Sequence, residues 1–172
     1  MTSILAGSAA LLSLAAANPA LAALAVGDSA PDFSAEAVQG KEAMTLALSD
    51  LRKTGPVVIF FVPSAFTDAP ECRDFASKID QFRAAGASVV GMSRDSTETL
   101  AKFSADECGA KFPLASANVA LVDAFDVNDG AMFNTRTTYV IAASGKIAYA
   151  DNNAEFDGHA GRALAFVQAL KR

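Results

Sequence analysis

The chain has 172 residues, is 52% hydrophobic and carries a net charge of −5, with a sequence pI near 4.8. That length holds one domain with a sizeable core, and the composition excludes a disordered body. The acidic balance, with no basic stripe, excludes a nucleic-acid partner.

Met1 to Gly27 carries no charge. Ile4 to Ala17 is apolar and small, Pro19 interrupts it, and Ala20-Leu21-Ala22 supplies a small-x-small site before Ala23. The pattern resembles a cleavable export signal, so residues 1–22 read as a signal or lumen-targeting segment and residues 23–172 as the folded domain. Export or an organellar lumen (thylakoid lumen, plastid or periplasm) is the expected location, and the cytoplasm if the segment is no signal. No Lys or Arg precedes the apolar run, the first being Lys41, as in the second half of a longer transit peptide. An uncleaved anchor helix and a docked apolar helix are the other readings.

Val26 to Phe33 is turn-rich, and Met44 to Leu48 is a short strand-like run. Lys53-Thr54-Gly55-Pro56 is a turn ahead of Val57 to Val62, whose β-branched and aromatic residues predict a strand buried on both faces. Pro63, with no amide hydrogen for a ladder, ends it. Phe75, Ile79 and Phe82 then repeat at helical spacing as far as Ala85-Gly86. Asp68 and Glu71 have the spacing of a capping box, and Pro70 fits a first turn.

Ala87 to Met92 is a second buried strand. A helix from about Thr97 to Glu107 follows, with Ser96 as N-cap and Gly109 just past its end. Phe112-Pro113-Leu114 leads out, and Val119 to Phe125 is either a helix turn or an edge element. Asp126 to Thr135 is a polar loop, and Thr137 to Ala142 a strand joined through Ser144-Gly145 to a hairpin partner at Lys146 to Ala150. Ala163, Phe166, Val167 and Leu170 mark a C-terminal helix. This order gives an α/β fold with helices on both faces of a central mixed sheet. Its first two core strands are parallel by the right-handed crossover rule, and the order is compatible with a thioredoxin-like fold.

Two cysteines, Cys72 and Cys108, stand 36 positions apart without a C-x-x-C, which excludes a zinc ribbon and a thioredoxin dithiol. With export the pair fits a structural disulfide, and without it two buried thiols. Cys72 lies just past the first helical positions, where free N–H groups and the dipole favour a thiolate and Arg73 adds positive charge. Glu71 and Asp74 oppose that effect. Cys72 also shares the apolar face of Phe75 and Ile79, where a cysteine packs as a small hydrophobe, so reactivity stays open on physics alone.

Gly27-Asp28-Ser29-Ala30-Pro31-Asp32-Phe33, Phe60-Phe61-Val62-Pro63-Ser64-Ala65-Phe66-Thr67 and Ala85 to Ser93 together resemble a peroxiredoxin. So does Arg136-Thr137-Thr138-Tyr139-Val140-Ile141, followed by Ser144-Gly145-Lys146. The similarity runs from about Val26 to the C-terminus and is nearest to the Q-type, bacterioferritin-comigratory members. It implies a thioredoxin-like fold, no cofactor, a hydroperoxide substrate, a thioredoxin-like reductant and a monomer or weak dimer.

The family pattern P-x-x-x-T-x-x-C is met at Pro63 and Thr67, but Pro70 stands where the cysteine is expected. In one register Asp68-Ala69 is an insertion and Cys72 is the nucleophile. In the other, Glu71 and Phe75 keep their family places and the nucleophile position is Asp68. The spacing from Pro63 to Gly86 favours the second register, while the retained Cys108 favours the first. Cys108 resembles the resolving cysteine of some Q-type members, and the alternative resolving position is Ser77.

On the first register the resemblance implies that Cys72 attacks peroxide and that Thr67 and Arg136 stabilise the peroxide oxygens. Pro63 then shields the thiolate, and Cys108 resolves the sulfenic acid. Bridging the two cysteines would then unwind the first turn of the Cys72 helix. Two other readings are a non-catalytic degenerate relative that binds or supports, and a Cys72/Cys108 redox switch. Without the resemblance, Arg136 reads as a solvated strand-edge charge and Thr67 as a helix cap. His159 is expected at the surface or as a cap, and Asp123 to Asp129 as a solvated face, with no metal site.

Overall fold

The computed structural model describes residues 23–130 and 132–170; the expected signal segment, residues 1–22, lies outside them. Seven strands form one sheet: β1 (Ser34–Gln39), β2 (Glu42–Ala47), β3 (Val57–Phe61), β4 (Ser88–Ser93), β5 (Leu114–Ser116), β6 (Thr137–Ile141) and β7 (Ile147–Asp151). Their spatial order is β2-β1-β5-β4-β3-β6-β7. β3 pairs parallel with β4 and antiparallel with β6, and β4 pairs parallel with β5. The helices are α1 (Leu48–Leu51), α2 (Ala69–Ala84), α3 (Thr97–Asp106), α4 (Val119–Ala124) and α5 (His159–Leu170).

β3 is central because it has apolar side chains for both faces. Val58 and Phe60, with Val62 just beyond the strand, enter a core with α2, α3 and α5. Val57, Ile59 and Phe61 enter a second core with Tyr139, Phe125 and Val122. Alternation at period two explains why an unbroken apolar run is a strand here. On the first face Phe60 stacks on Phe75 at 4.1 Å between centroids, and Phe112 meets it edge-on at 5.6 Å. Gly91, opposite Phe60 on β4, keeps this approach open: a Cβ there would lie 2.7 Å from Phe60 Cζ and 2.6 Å from Leu114 Cδ2.

Two expectations need correction, and one open alternative is decided. β1 lies in the stretch read as a lead-in, where Ala35, Ala37 and Val38 are buried but small. β5 has three residues, too few for a periodic pattern. Of the two readings for the segment from Val119, the helical one holds, capped by Asn118, whose side chain accepts from Leu121 N–H at 2.9 Å. Ser96 caps α3 as expected, accepting from Thr99 N–H at 3.2 Å.

Candidate active site at the start of helix α2

β3 ends at Phe61, and its direction continues through Val62, whose N–H donates to the Met92 carbonyl at 2.9 Å. Asp95 then pins the loop: its Oδ2 accepts from Ala65 N–H at 2.7 Å and from the Ser93 hydroxyl at 2.8 Å. Phe66 takes a left-handed φ of 62°, unusual for a residue with a side chain, and its half-exposed ring meets Phe103 at 5.3 Å. Thr67 is exposed, with its N–H on the Ala65 carbonyl at 2.7 Å.

Asp68 occupies the N-cap position of α2, yet its side chain makes no capping bond, so the expected capping box does not form. The carboxylate turns away: Oδ2 accepts from Ser64 N–H at 3.1 Å, and Oδ1 receives Nη2 of Arg136. Nη1 of the same arginine meets Oε2 of Glu71, and Nε donates to the Ala154 carbonyl at 2.8 Å. A guanidinium fork supplies more directed donors than a short loop can, which is why the long-range partner wins over the local cap. Arg136 precedes β6, which fixes it beside β3. Its side chain is 12% exposed, against 3% for Asp68 and 1% for Glu71, so the solvated strand-edge alternative does not describe it.

The cluster holds two buried carboxylates and one guanidinium. The excess negative charge favours keeping a proton, and burial pushes Glu71 up to about 8 despite Arg136. Burial works against the charge on Arg136, but Glu71 and Asp68 outweigh it and raise its pKa. Glu71 Oε1 has no hydrogen-bond partner and lies 3.9 Å from Nδ1 of His159. His159 is fully buried rather than at the surface, because Thr138 Oγ1 at 2.9 Å and the Asn153 carbonyl at 3.0 Å serve its two ring nitrogens. Burial lowers its pKa, which keeps the imidazole neutral near pH 7.

Cys72, one turn after Asp68, points elsewhere. It is fully buried in the first core with Phe75 and Ile79, and it forms a disulfide with the equally buried Cys108. The Cα atoms are 5.4 Å apart while α2 remains helical from Ala69 onward. The expected unwinding of the first turn is therefore absent. Cys108 lies just beyond α3, whose end already packs near α2, and Arg73 and Glu107 form an ion pair alongside. Ser77, the alternative resolving position, instead bonds its own helix through the Asp74 carbonyl at 2.7 Å.

The sequence-derived residues thus fall into two groups. Cys72 and Cys108 are joined, whereas Arg136 meets Asp68 and Glu71. Pro63 lines a pocket of about 240 Å³ with Asp129, Asn134, Thr135, Arg136, Asn152 and Ala154. A neighbouring cavity of about 340 Å³ runs past Pro63, Ser64, Arg94, Asp95, Met132 and Phe133. Sequence reasoning missed Asn134, His159 and the pairing of Glu71 with Arg136; the register that keeps Glu71 in place was the available signal. Among the described residues no cluster of side chains suits a metal ion, and no helix is long and apolar enough to cross a membrane.

The model of the AhpC/TSA family matches residues 26–150. The peroxiredoxin Bcp of Xanthomonas campestris pv. campestris is 34% identical over 66% of this chain and 76% of its own length. A chloroplastic 2-cysteine peroxiredoxin of Chattonella marina var. antiqua is 31% identical, covering 85% of this chain and 80% of its own. The crystal structure of the peroxidoxin BcpB from Mycobacterium tuberculosis superposes with a TM-score of 0.74 at 34% identity, covering 84% of this chain and 97% of the other. The mixed sheet is accordingly the thioredoxin-like fold of those proteins, and the Cys72–Cys108 disulfide fits thiol-dependent peroxidase function. With the matched family model spanning most of the chain and these relatives agreeing, the chain belongs to the AhpC/TSA family as a peroxiredoxin of the Q type.

Proposed function

We propose that the protein reduces hydrogen peroxide or organic hydroperoxides with Cys72, that Cys108 resolves the product, and that a thioredoxin-like dithiol restores both thiols. The observation that carries this reading is the Cys72–Cys108 disulfide, the oxidised end state such a cycle leaves. The Cys72 thiolate attacks the terminal oxygen of ROOH; the O–O bond breaks, ROH leaves with a proton, and Cys72 becomes a sulfenic acid. The Cys108 thiol displaces water from it to form the disulfide, and an external dithiol supplies the two electrons that reopen it. Thr67 and Arg136 would stabilise the peroxide oxygens and Pro63 would limit water. Because both sulfurs are fully buried in the disulfide, each turn requires the start of α2 to open and reclose.

Stopped-flow oxidation tests this directly. Reduced wild type should consume peroxide with a thioredoxin system, and Cys72→Ser and Arg136→Ala should each slow it by orders of magnitude. Equal rates in all three would sink the assignment.

A second reading rests on a different observation: Arg136, which also meets Glu71, holds Asp68, the position that the second register gives to the nucleophile. In that case the cradle is filled by a carboxylate, and the disulfide is a structural staple or a slow redox switch in a non-catalytic relative. Asp68→Cys would place a thiol beside Arg136. Peroxide consumption that appears only in this variant, and persists when Cys72 is also Ser, would establish the second reading over the first. Slow disulfide formation insensitive to Arg136→Ala would favour the switch.

For location, the similarity to a chloroplastic relative supports a plastid or its lumen, with residues 1–22 as a cleaved targeting segment and a monomer or weak dimer beyond it. Amino-terminal sequencing of the mature protein from its native compartment, starting at Ala23, is the expected result; a blocked or full-length start would exclude cleavage.

A further inference from the structure

The pocket of about 240 Å³ beside Arg136 is lined in part by a residue with an unanswered acceptor. Asn134, which lines it, is 2% exposed; its Nδ2 donates to the Val62 carbonyl at 3.3 Å, and its Oδ1 has no partner. That donation fixes the amide's orientation, so the unpaired atom is an oxygen and needs a donor. A buried carbonyl oxygen left without one is destabilising, which favours a ligand or solvent group that supplies the missing hydrogen. Arg136, on the same wall, spends one N–H of each terminal nitrogen on Asp68 and Glu71. Each of those nitrogens carries a second N–H. A ligand that both donates to Asn134 and accepts from Arg136 ends in a hydroxyl or hydroperoxyl group.

The remaining walls limit what the rest of that ligand can be. Pro63 and Ala154 offer apolar surface beside the polar Thr135 and Asn152 and the acidic Asp129, and the volume admits a compact body rather than a long chain. Hydrogen peroxide is far smaller than this space and leaves the apolar wall uncovered.

We infer that Asn134 is a specificity-determining residue that accepts a hydrogen bond from the hydroxyl end of a compact apolar ligand, an alkyl hydroperoxide or the alcohol left after its reduction. The hydroperoxide half of this assignment rests on the peroxidase reading, whereas the alcohol half does not depend on any turnover.

Cumyl alcohol serves as the probe, titrated into oxidised full-length protein and followed by amide and side-chain NMR shifts. The expected result is saturable movement of the Asn134 side-chain amide and of Thr135 and Ala154, with cumyl methyl ether, which has no O–H, binding about tenfold more weakly. Asn134→Leu should weaken the alcohol by a similar factor while leaving ether binding unchanged. Ala154→Phe, which fills the mouth and keeps the backbone carbonyl that receives Arg136, should abolish both. No saturable shift at Asn134, or equal binding of alcohol and ether, overturns the inference whatever the enzyme does. In turnover, Asn134→Leu should lower the ratio of kcat/KM for cumene hydroperoxide to that for hydrogen peroxide; an unchanged ratio in an active enzyme also overturns it. An inactive wild type that still binds the alcohol would count against the peroxidase reading alone.

Discussion

Asp68 and Cys72 lie one turn apart on α2, yet they are held by opposite means. Asp68 is fixed by charge and directed hydrogen bonds, in a polar cluster with Arg136 and Glu71 packed under the loop. Cys72 is fixed by a covalent bond inside an apolar cluster of Phe75, Ile79 and their neighbours. The ionic cluster depends on every member: remove the cation, and the buried acids Asp68 and Glu71 lose their shared partner. The disulfide depends only on the redox state of the surroundings. A single helix start therefore responds to protons through one side chain and to electrons through another.

The sharpest way to break this contrast is Arg136→Ala. Removing one partner of a buried pair destabilises by about 3–5 kcal/mol, so its denaturant midpoint should fall well below that of the wild type. Replacing Glu71 with Gln in the same background should leave the midpoint nearly unchanged, since Glu71 already holds a proton and adds no stranded charge. A midpoint within experimental error of the wild type would mean that the cluster is solvated.

Next in size is the covalent device. Cys108→Ser, or reduction of the wild type, should cost about 2–4 kcal/mol in equilibrium unfolding. The two treatments should agree, and reductant should not move the variant further. A reductant-sensitive midpoint in Cys108→Ser would show that the disulfide is not the element responding.

Glu71 gives a pH-dependent test that the disulfide cannot mimic. Its folded pKa, about 8, lies above the ordinary value of 4.5, so the folded state holds a proton that the unfolded chain releases. Stability from this group is complete below about pH 4.5 and is lost as pH rises through about 8. Glu71→Gln, which resembles the neutral acid, should flatten that part of the profile while leaving the reductant effect intact. A wild-type profile equally flat from pH 5 to 9 would contradict the buried, proton-holding cluster.

The smallest effect belongs to Arg73→Ala. Its ion pair with Glu107 bridges the same two elements as the disulfide, but Arg73 is 58% exposed, so the loss should stay within about 1 kcal/mol and shrink in salt. A larger loss, measured as a shift in unfolding midpoint, would make the ion pair part of what positions the two sulfurs.

How much of this was legible in the sequence follows from the range of the forces involved. β3 could be read from six residues because burial on both faces leaves an unbroken apolar run, and the parallel β3–β4 pair followed from crossover handedness. Ser96 could be read as a cap because its partner, Thr99, is three residues away. β1 was hidden because its inward residues are mostly alanine, whose burial is too small to print a period. Asp68 looked like a local cap but answers Arg136, a residue 68 positions along the chain. His159 looked superficial because the groups that satisfy it, on Thr138 and Asn153, are brought together only by the hairpin and the start of α5. The P-x-x-x-T spacing located the loop itself, but residue spacing alone left two registers for its nucleophile.

The disulfide has a consequence for chain integrity as well. Joined through their sulfurs, Cys72 and Cys108 close a ring that contains most of α2, all of β4 and all of α3. A single cut by a protease anywhere between Arg73 and Glu107 opens that ring without dividing the molecule, so the nicked protein migrates as one piece until reductant is added. In an oxidising compartment the parallel core can thus survive a backbone break that would release a fragment from the reduced chain.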